Sequence, residues 1–410
     1  MSSIAATDNS LCLTGNMQCS YAIFAQELVD MIVDFLYDDR ATLAACGLTC
    51  RSWLPAARFH LFYRVEVSPF TFQSLCEVFE RWPHLAVHVQ SLSVGDRALS
   101  DQKTPPADEM VAQVHRLTAL LTSVRYLRIS GRFLRWTARR AWPVLRALSS
   151  SMSQVTHLDV LYLTVLALGD WAVFLSNFTA LRRVSLFQVF WGVGDGPDPA
   201  LRLAHPLTME IYIHRPQLAR PFYDWIARQQ PVPELHGFLL HVEYEGGLLT
   251  RALLQSPLAA SIRVLYLRYD MIAGGADALA RGIGHCTRLR ELRFASPIFP
   301  EVFKPRQNAI ANIISSIRSE YLVVVSFALI CEHPETAPLD ADTLQGLANA
   351  LRTPALGGLC RAEVILLTSE DSGDYPDLEP LREQWAALGA PVPLSFRSTQ
   401  IVLYNFGFPW

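Results

Sequence analysis

Between residues 184 and 294 an apolar-x-apolar pair returns every 27 residues: Val184/Leu186, Ile211/Ile213, Phe238/Leu240, Leu265/Leu267 and Leu292/Phe294. Four equal steps are hard to obtain by chance, and a fixed period of this length marks a stacked repeat. Looser copies precede at Leu92/Val94, Leu127/Ile129 and Leu158/Val160, and others follow at Val323/Val325 and Ile365/Leu367. A single strand with its return segment cannot bury its own apolar side. Repeated, each strand lies beside the last in a parallel sheet and the returns pack behind it. The returns read as helices with one apolar face. Residues 170–178 carry Trp171, Phe174, Leu175 and Phe178; 220–228 carry Phe222, Trp225 and Ile226. Residues 276–283 carry Leu279 and Ile283, and 342–351 carry Leu344, Leu347, Ala348 and Leu351. The expected fold class is α/β: an irregular solenoid over 68–410 with a parallel sheet on a concave face and helices and loops behind. The longest loops are expected at 192–199, 296–305 and 370–380.

Composition narrows the function. Of 410 residues, 51% are hydrophobic and 18% charged, as in a folded chain with a large core. The balance of 35 basic against 38 acidic residues offers no basic stripe for nucleic acid or an anionic membrane. No stretch reaches the roughly 18 apolar residues that cross a bilayer, and the first twenty residues lack the pattern of a secretory signal. A cytoplasmic or nuclear location is therefore expected. The cysteines at 12, 19, 46, 50, 76, 286, 331 and 360 form no C-x-x-C pair, so buried thiols in a reducing compartment are expected. His84 and His88 lack a carboxylate or Cys at ligand spacing, and no metal is expected. Hydrolase, zinc-protease and P-loop motifs are absent. Neither a catalytic residue nor a cofactor is expected.

The front of the chain follows a different rule. Residues 1–21 read as a flexible tail, and 22–67 as a small helical module. Leu28, Ile32, Phe35 and Leu36 fall at three- and four-residue steps on one helix face, which Met31 widens. Asp38 or Asp39 is placed to cap a second helix carrying Leu43 and Cys46. Pro55 is placed to start a third. Residues 60–67 alternate and read as a first strand. A piece of this size buries little surface, and it holds more apolar residues than a three-helix core hides. The surplus calls for a groove on another protein.

These residues resemble an F-box. Glu27-Leu28, Ile32, Leu36, Leu43, Cys46, Leu48, Cys50-Arg51 and Trp53 match the family pattern, as do Leu61-Phe62 and Val65. Phe24-Ala25 stands where the family has Leu-Pro, which removes a pre-set turn. The likeness is greatest to the F-box proteins that basidiomycete fungi carry in large numbers. It implies a three-helix module that grips a Skp-type adaptor, and through it a cullin. The implied contacts are Phe24, Leu28, Ile32, Leu36, Leu48 and Trp53. The chain holds two lysines, Lys103 and Lys304, against 33 arginines. Codon bias explains this, as does the shedding of ubiquitin acceptors by a ligase subunit.

The body resembles a leucine-rich repeat. It departs from the usual pattern in having no Asn three residues past the second apolar position, where Arg132, Leu163, Val189, Pro216, Glu243, Asp270 and Pro297 stand instead. Other groups must then satisfy the turn backbone. Side chains alternate along a strand, so the neighbours of the apolar pairs form an outward row. It includes His157, Asp159, Glu210 and Glu291. Seven residues of it, Tyr126, Arg128, Arg183, Tyr212, Tyr266, Arg268 and Arg293, are the expected contacts for a target protein of unknown identity. The apolar tail 401–410 reads as a cap over the last repeat. The two resemblances together imply a non-catalytic substrate receptor of a cullin-RING ubiquitin ligase. The alternative is a repeat scaffold that binds its adaptor without delivering substrates.

Overall fold

The computed structural model describes residues 25–401 apart from 50, 69, 96–105, 132–137, 166, 192–200, 206, 213–215, 242–253, 269–275, 299–306, 332–340, 353–355, 357–358, 370–378 and 390–392. The chain divides into two units, Met1–Phe62 and Tyr63–Trp410.

The first unit, the head, is made of α1 (Gln26–Phe35), α2 (Arg40–Thr49) and α3 (Leu54–Tyr63). Asp39 starts α2. Its carboxylate accepts the backbone N–H of Thr42 at 3.0 Å and the Thr42 hydroxyl at 2.6 Å, which satisfies one of the orphan amides of a helix start. The Thr42 hydroxyl, and then the Thr42 amide, hold the Asp39 carboxyl below its ordinary range. Val29, Val33 and Leu43 form the core, with Leu36, Trp53, Ala56 and Leu61 packed against them. The Arg40 guanidinium donates to the Leu61 carbonyl at 3.1 Å, and His60 Nε2 lies 2.7 Å from Asp34 Oδ1. Residues 60–63, expected as strand, are the last turn of α3. Leu61 stands four residues after buried Ala57, and that helical spacing carries it into the head core. Only Arg64–Val67 is extended.

That strand belongs to the second unit, the body. Among the described residues its main sheet has twelve strands. The first four are β1 (Arg64–Val67), β2 (Ser91–Val94), β3 (Tyr126–Ser130) and β4 (His157–Leu161). After the short β5 (Thr164–Val165) comes β6 (Arg183–Phe187), and after the short β7 (Phe190–Trp191) come β8 (Thr208–Tyr212) and β9 (Glu234–His241). The sheet ends with β10 (Val264–Arg268), β11 (Glu291–Ile298), β12 (Val324–Cys331), β13 (Arg361–Ser369) and β14 (Leu394–Ile401). Its strands lie side by side in chain order, and every pairing is parallel. β5 and β7 pair with each other.

The 27-residue step is the register of the middle strands: Ile211 pairs with Phe238, Phe238 with Leu265 and Leu265 with Leu292. The step into this block is shorter. Val184 pairs with Met209, not Ile211, a difference of two residues that is even and so changes no face. Between β8 and β9 the pairing slips by one residue, from Met209–Leu235 to Glu210–Gly237, passing over His236 as at a bulge. Past β11 the apolar pairs sit elsewhere than expected. Leu292 pairs with Val325 and Phe294 with Phe327, while Val323 is exposed. In β13 the buried positions include Ala362 and Val364, and Ile365 lies one residue off that row.

The returns are helical where the apolar spacing placed helices: Leu168–Ser176, Pro216–Ala227, Ala276–Ile283 and Ala341–Leu351. They bury Trp171 and Phe174, Phe222 and Trp225, Leu279 and Ile283, and Leu344 and Leu347. Of the expected loops, 192–199 lies outside the described residues. Residues 296–298 extend β11, and Glu379 already starts a helix that runs to Ala387. Of the apolar tail only Ile401, the last residue of β14, is described.

Two backbone ladders replace the missing Asn. Before the strands, one carbonyl receives two successive amides of the next repeat. Gln90 O accepts from Arg125 and Tyr126, Arg125 O from Thr156 and His157, and Arg290 O from Val323 and Val324. After the strands, the amides of Gly131, Tyr162 and Gln188 donate to the carbonyls of Leu161, Phe187 and Tyr212 at 2.7–2.8 Å. Tyr162 and Gln188 have positive φ, 55° and 50°, a strained choice for residues with a Cβ. A Cβ on Gly131 would stand 2.5 Å from the Tyr162 carbonyl oxygen, so glycine is required there.

Candidate functional site

Two surfaces carry the residues singled out in the sequence. On the head, Leu28, Met31, Ile32 and Phe35 are all exposed, Phe35 to 81%. Their three- and four-residue spacing puts them on one face of α1. Val29 and Val33 fill the opposite face and the core. This refines the expected face: Leu36, half-buried, packs with the core cluster, and Phe35 does not. Leu48 is 88% exposed at the end of α2. Trp53, like Leu36, packs against Val29, Val33 and Leu43. Of the six expected adaptor contacts, then, Leu28, Ile32 and Leu48 stand in the open. Leu36 and Trp53 serve the head's own core, and Phe24 lies outside the described residues. Phe35 and Met31 were on the same sequence face and had the spacing to be counted with them.

The second surface is the outward face of the sheet, where the register sorts the predicted residues into three rows. Arg64, Ser91, Tyr126, His157, Arg183, Thr208 and Glu234 are paired strand to strand in the first. Glu66, Ser93, Arg128, Asp159, Ser185 and Glu210 form the second. Tyr212, Leu239, Tyr266, Arg293, Ser326 and Glu363 form the third. The rows therefore place Tyr126 beside His157, Arg128 beside Asp159, and Tyr212 two strands from Tyr266.

The side chains interlock along these rows. Tyr126 stacks on His157 at 6.3 Å. Arg183 meets Glu210 at 2.5 Å, and Ser185 donates to the other Glu210 oxygen at 3.3 Å. Burial pushes the Asp159 carboxyl above its ordinary range, while a Ser185 hydrogen bond and Arg183 oppose the shift. An aromatic run crosses the third row: Tyr162 on Phe187 at 5.3 Å, Phe187 on Tyr212 at 5.9 Å, Tyr212 on Tyr266 at 5.4 Å. Arg293 lies over the Tyr266 ring at 5.4 Å and pairs with Glu291 at 2.5 Å. A Cβ at Gly237 would stand 2.8 Å from the Tyr212 hydroxyl, so this glycine makes room for the phenol. Desolvation drives both phenols up, and the Tyr212–Tyr266 hydrogen bond links them.

Tyr266 is only 6% exposed. It supports Tyr212 and Arg293 rather than offering itself to a target, a correction to the expected contact row. Burial of a Tyr on the outward face has no signal in a two-residue period. Tyr126, Arg128, Tyr212 and Arg293 are half-buried and Arg183 is exposed. The Arg268 side chain lies outside the description. Among the described residues no group of His, Cys, Asp and Glu is arranged to hold a metal ion, and no helix is long and apolar enough to cross a membrane. Cys46, Cys76 and Cys286 are buried cysteines outside any disulfide, and Cys360 is an exposed one. Burial pushes the Cys286 thiol up to about 12.

No family model matches this chain, and no curated protein sequence matches it either. Among solved structures, the crystal structure of the Rad7 and Elc1 complex in yeast aligns with 90% of this chain and 95% of that chain. The sequence identity is 9% and the TM-score 0.33.

Proposed function

We propose that the chain is a non-catalytic substrate receptor of a Skp–cullin-type ubiquitin ligase: the head is an F-box that docks on the adaptor, and the sheet face of the body holds the target. The observation that carries this reading is the inverted packing of α1, with its four largest apolar side chains outside and two valines inside. Each such side chain, moved from water into a groove, contributes about 1.5–3 kcal/mol. Four of them and Leu48 would offset the loss of translational freedom on association. A helix that exposes apolar residues at i, i+3, i+4 and i+7 suits a groove on a partner, and the F-box resemblance names the partner. The body supports the other half of the reading. Its parallel repeats array Tyr and Arg side chains, the types that dominate binding hot spots, in rows across neighbouring strands. Tethering a target beside the conjugating enzyme raises its local concentration, so the receptor needs no chemistry of its own. The test is affinity capture of the full chain with proteasomal degradation blocked. The adaptor and cullin should co-purify with it, and a captured protein should turn over in a cullin-dependent way. Capture of adaptor without any cullin-dependent turnover would favour the scaffold reading.

A further inference from the structure

Behind the sheet, a cavity of 650 Å³ lies between two neighbouring return helices of the body. One wall is the helix Ala276–Ile283 with the turn after it, and the other is the helix Gln307–Ser315 with its own following turn. Asp277, Ala280, Arg281, Gly284 and His285 line the first wall. They recur at three- and four-residue steps, so they make one stripe. Leu279 and Ile283, off that stripe, are in the core. The stripe is hollow because Ala280 and Gly284 stop short where longer side chains would fill the gap between the helices. The two repeats approach closely at Gly284, where a Cβ would stand 3.3 Å from the Ser316 carbonyl oxygen. That Cβ would also stand 3.5 Å from Nε of Arg318. The Arg318 guanidinium is therefore laid across the gap onto the preceding repeat.

The second wall supplies Asn312, Ser315, Ser316 and Arg318. The Ser315 and Ser316 hydroxyls both donate to the Asn312 carbonyl, at 3.0 and 2.7 Å, which fixes the end of this helix. From 307 to 318 the sequence holds no acidic residue. Another pair of return helices shows how such a gap is closed from within the chain. Between Phe72–Arg81 and Ala107–Leu120, Arg116 donates to both carboxylate oxygens of Glu80, at 2.7 and 2.9 Å. Across the 650 Å³ cavity, Arg281 faces an amide, two hydroxyls and a second arginine instead. Asp277, one turn before Arg281, is the one acid among the described lining residues. The lining thus sets two guanidiniums and an imidazole against one carboxylate. Both helices end here, and their C-terminal dipoles offset part of this charge. Like charges on facing walls still repel, and an anion seated between them removes that cost. Guanidiniums are forked donors that match the oxygens of a phosphoryl group. The volume falls within the roughly 300–1,000 Å³ of small-molecule sites, more room than one phosphate ion fills.

We propose that this cavity binds a small organic diphosphate, one phosphoryl group held by Arg281 and His285 on the first wall and the other by Arg318 and Asn312 on the second. Ala280 and Gly284 form its floor. The bound molecule ties two adjacent repeats together and so stabilises the body in proportion to its occupancy. The site lies behind the sheet and is independent of the receptor reading.

The test is calorimetric titration of the full chain with inorganic pyrophosphate, with inorganic phosphate in a second arm and chloride at matched ionic strength as the control. Pyrophosphate should bind saturably and at least tenfold more tightly than phosphate, because only pyrophosphate reaches both walls. Arg281 and Arg318 are exposed, so Arg281→Gln and Arg318→Gln should leave the melting temperature of the unliganded chain unchanged. Each should weaken pyrophosphate at least tenfold, and Asp277→Asn should tighten it. Arg228→Gln, at an exposed arginine that does not line the cavity, should change nothing. Ala280→Leu fills the cavity without altering a charge and should abolish binding, which separates a built site from a generally basic surface. Four results would overturn the proposal: no saturable binding of pyrophosphate, phosphate binding as tight as pyrophosphate, equal weakening by Arg228→Gln, or a folded Ala280→Leu chain that binds as the original does. If Ala280→Leu does not fold, the two arginine variants decide, and undiminished binding by both overturns the site. None of these readouts involves the adaptor, so failure here and failure of the receptor reading are separable.

Discussion

α1 of the head and the return helix Leu168–Ser176 of the body are of similar length and both rich in apolar residues, but they use them in opposite ways. The body helix buries Leu168, Trp171, Ala172, Phe174 and Leu175. Among its large apolar residues only Val173 is exposed. α1 buries Val29 and Val33 and leaves Leu28, Met31, Ile32 and Phe35 outside. The body spends its apolar surface on its own stacking; the head keeps its surface in reserve. An apolar stripe in a sequence shows that a face will be covered. Whether the chain itself or another protein covers it depends on what packs alongside.

That contrast can be broken experimentally, most forcefully in the body. Trp171 is fully buried among Phe174 and its neighbours, with ring centroids 5.0 Å apart. Trp171→Ala should destabilise the body by about 3–5 kcal/mol, read from denaturant unfolding. On the exposed face of α1, Phe35→Ala should change stability by less than about 0.5 kcal/mol, while weakening adaptor capture several-fold. A large stability loss from Phe35→Ala would mean that this face is covered from within the chain. The head's own core lies between these extremes: Leu43→Ala should cost about 2–3 kcal/mol and reduce capture only as far as the head unfolds.

Electrostatics sharpens the comparison at smaller scale. Burial raises the Asp159 carboxyl, so the folded state holds its proton more tightly than the unfolded chain does. The sign follows from linkage. The stability tied to this proton is present below the ordinary carboxylate range and is lost as pH rises through the raised folded value. Asp159→Asn should therefore stabilise the chain at neutral pH, by less than the core substitutions change it, and the gain should fade as pH falls below the carboxylate range. Asp39 behaves oppositely. Its capping contacts lower its carboxyl, so its contribution is present above the ordinary value and fades as pH falls through the lowered one. Asp39→Ala should weaken the head slightly at neutral pH and not at all once the carboxyl is protonated.

Much of this architecture was legible in the residues. The 27-residue step fixed the pairing of β8 to β11, because stacked repeats turn sequence period into strand register. The Asp39 cap and the helical returns were readable for the same kind of reason: each is a local pattern with one inexpensive solution. The limits were equally physical. His60–Tyr63 is too short a run for a period of two to be told from 3.6, and the packing of Leu61 in the head decided for helix. The phase slip between Val184 and Met209 is invisible because an even shift leaves the apolar alternation intact. At the candidate surfaces, the stripe of α1 was visible, but its split into buried Val29 and Val33 and exposed Phe35 depended on the crossing of three helices. The burial of Tyr266 came from neighbours on other strands, Tyr212 and Arg293, that a linear reading does not align.

The central claim is that the exposed face of α1 is the docking surface of the chain. It is tested most directly by measuring capture of a purified Skp-type adaptor by the full chain and by a Leu28→Asp, Phe35→Asp double variant whose folding is checked by circular dichroism and melting temperature. The predicted result is tight capture by the original chain and a loss of at least a hundredfold in a variant that melts at the same temperature. Equal capture by both, with the fold intact, would contradict the account.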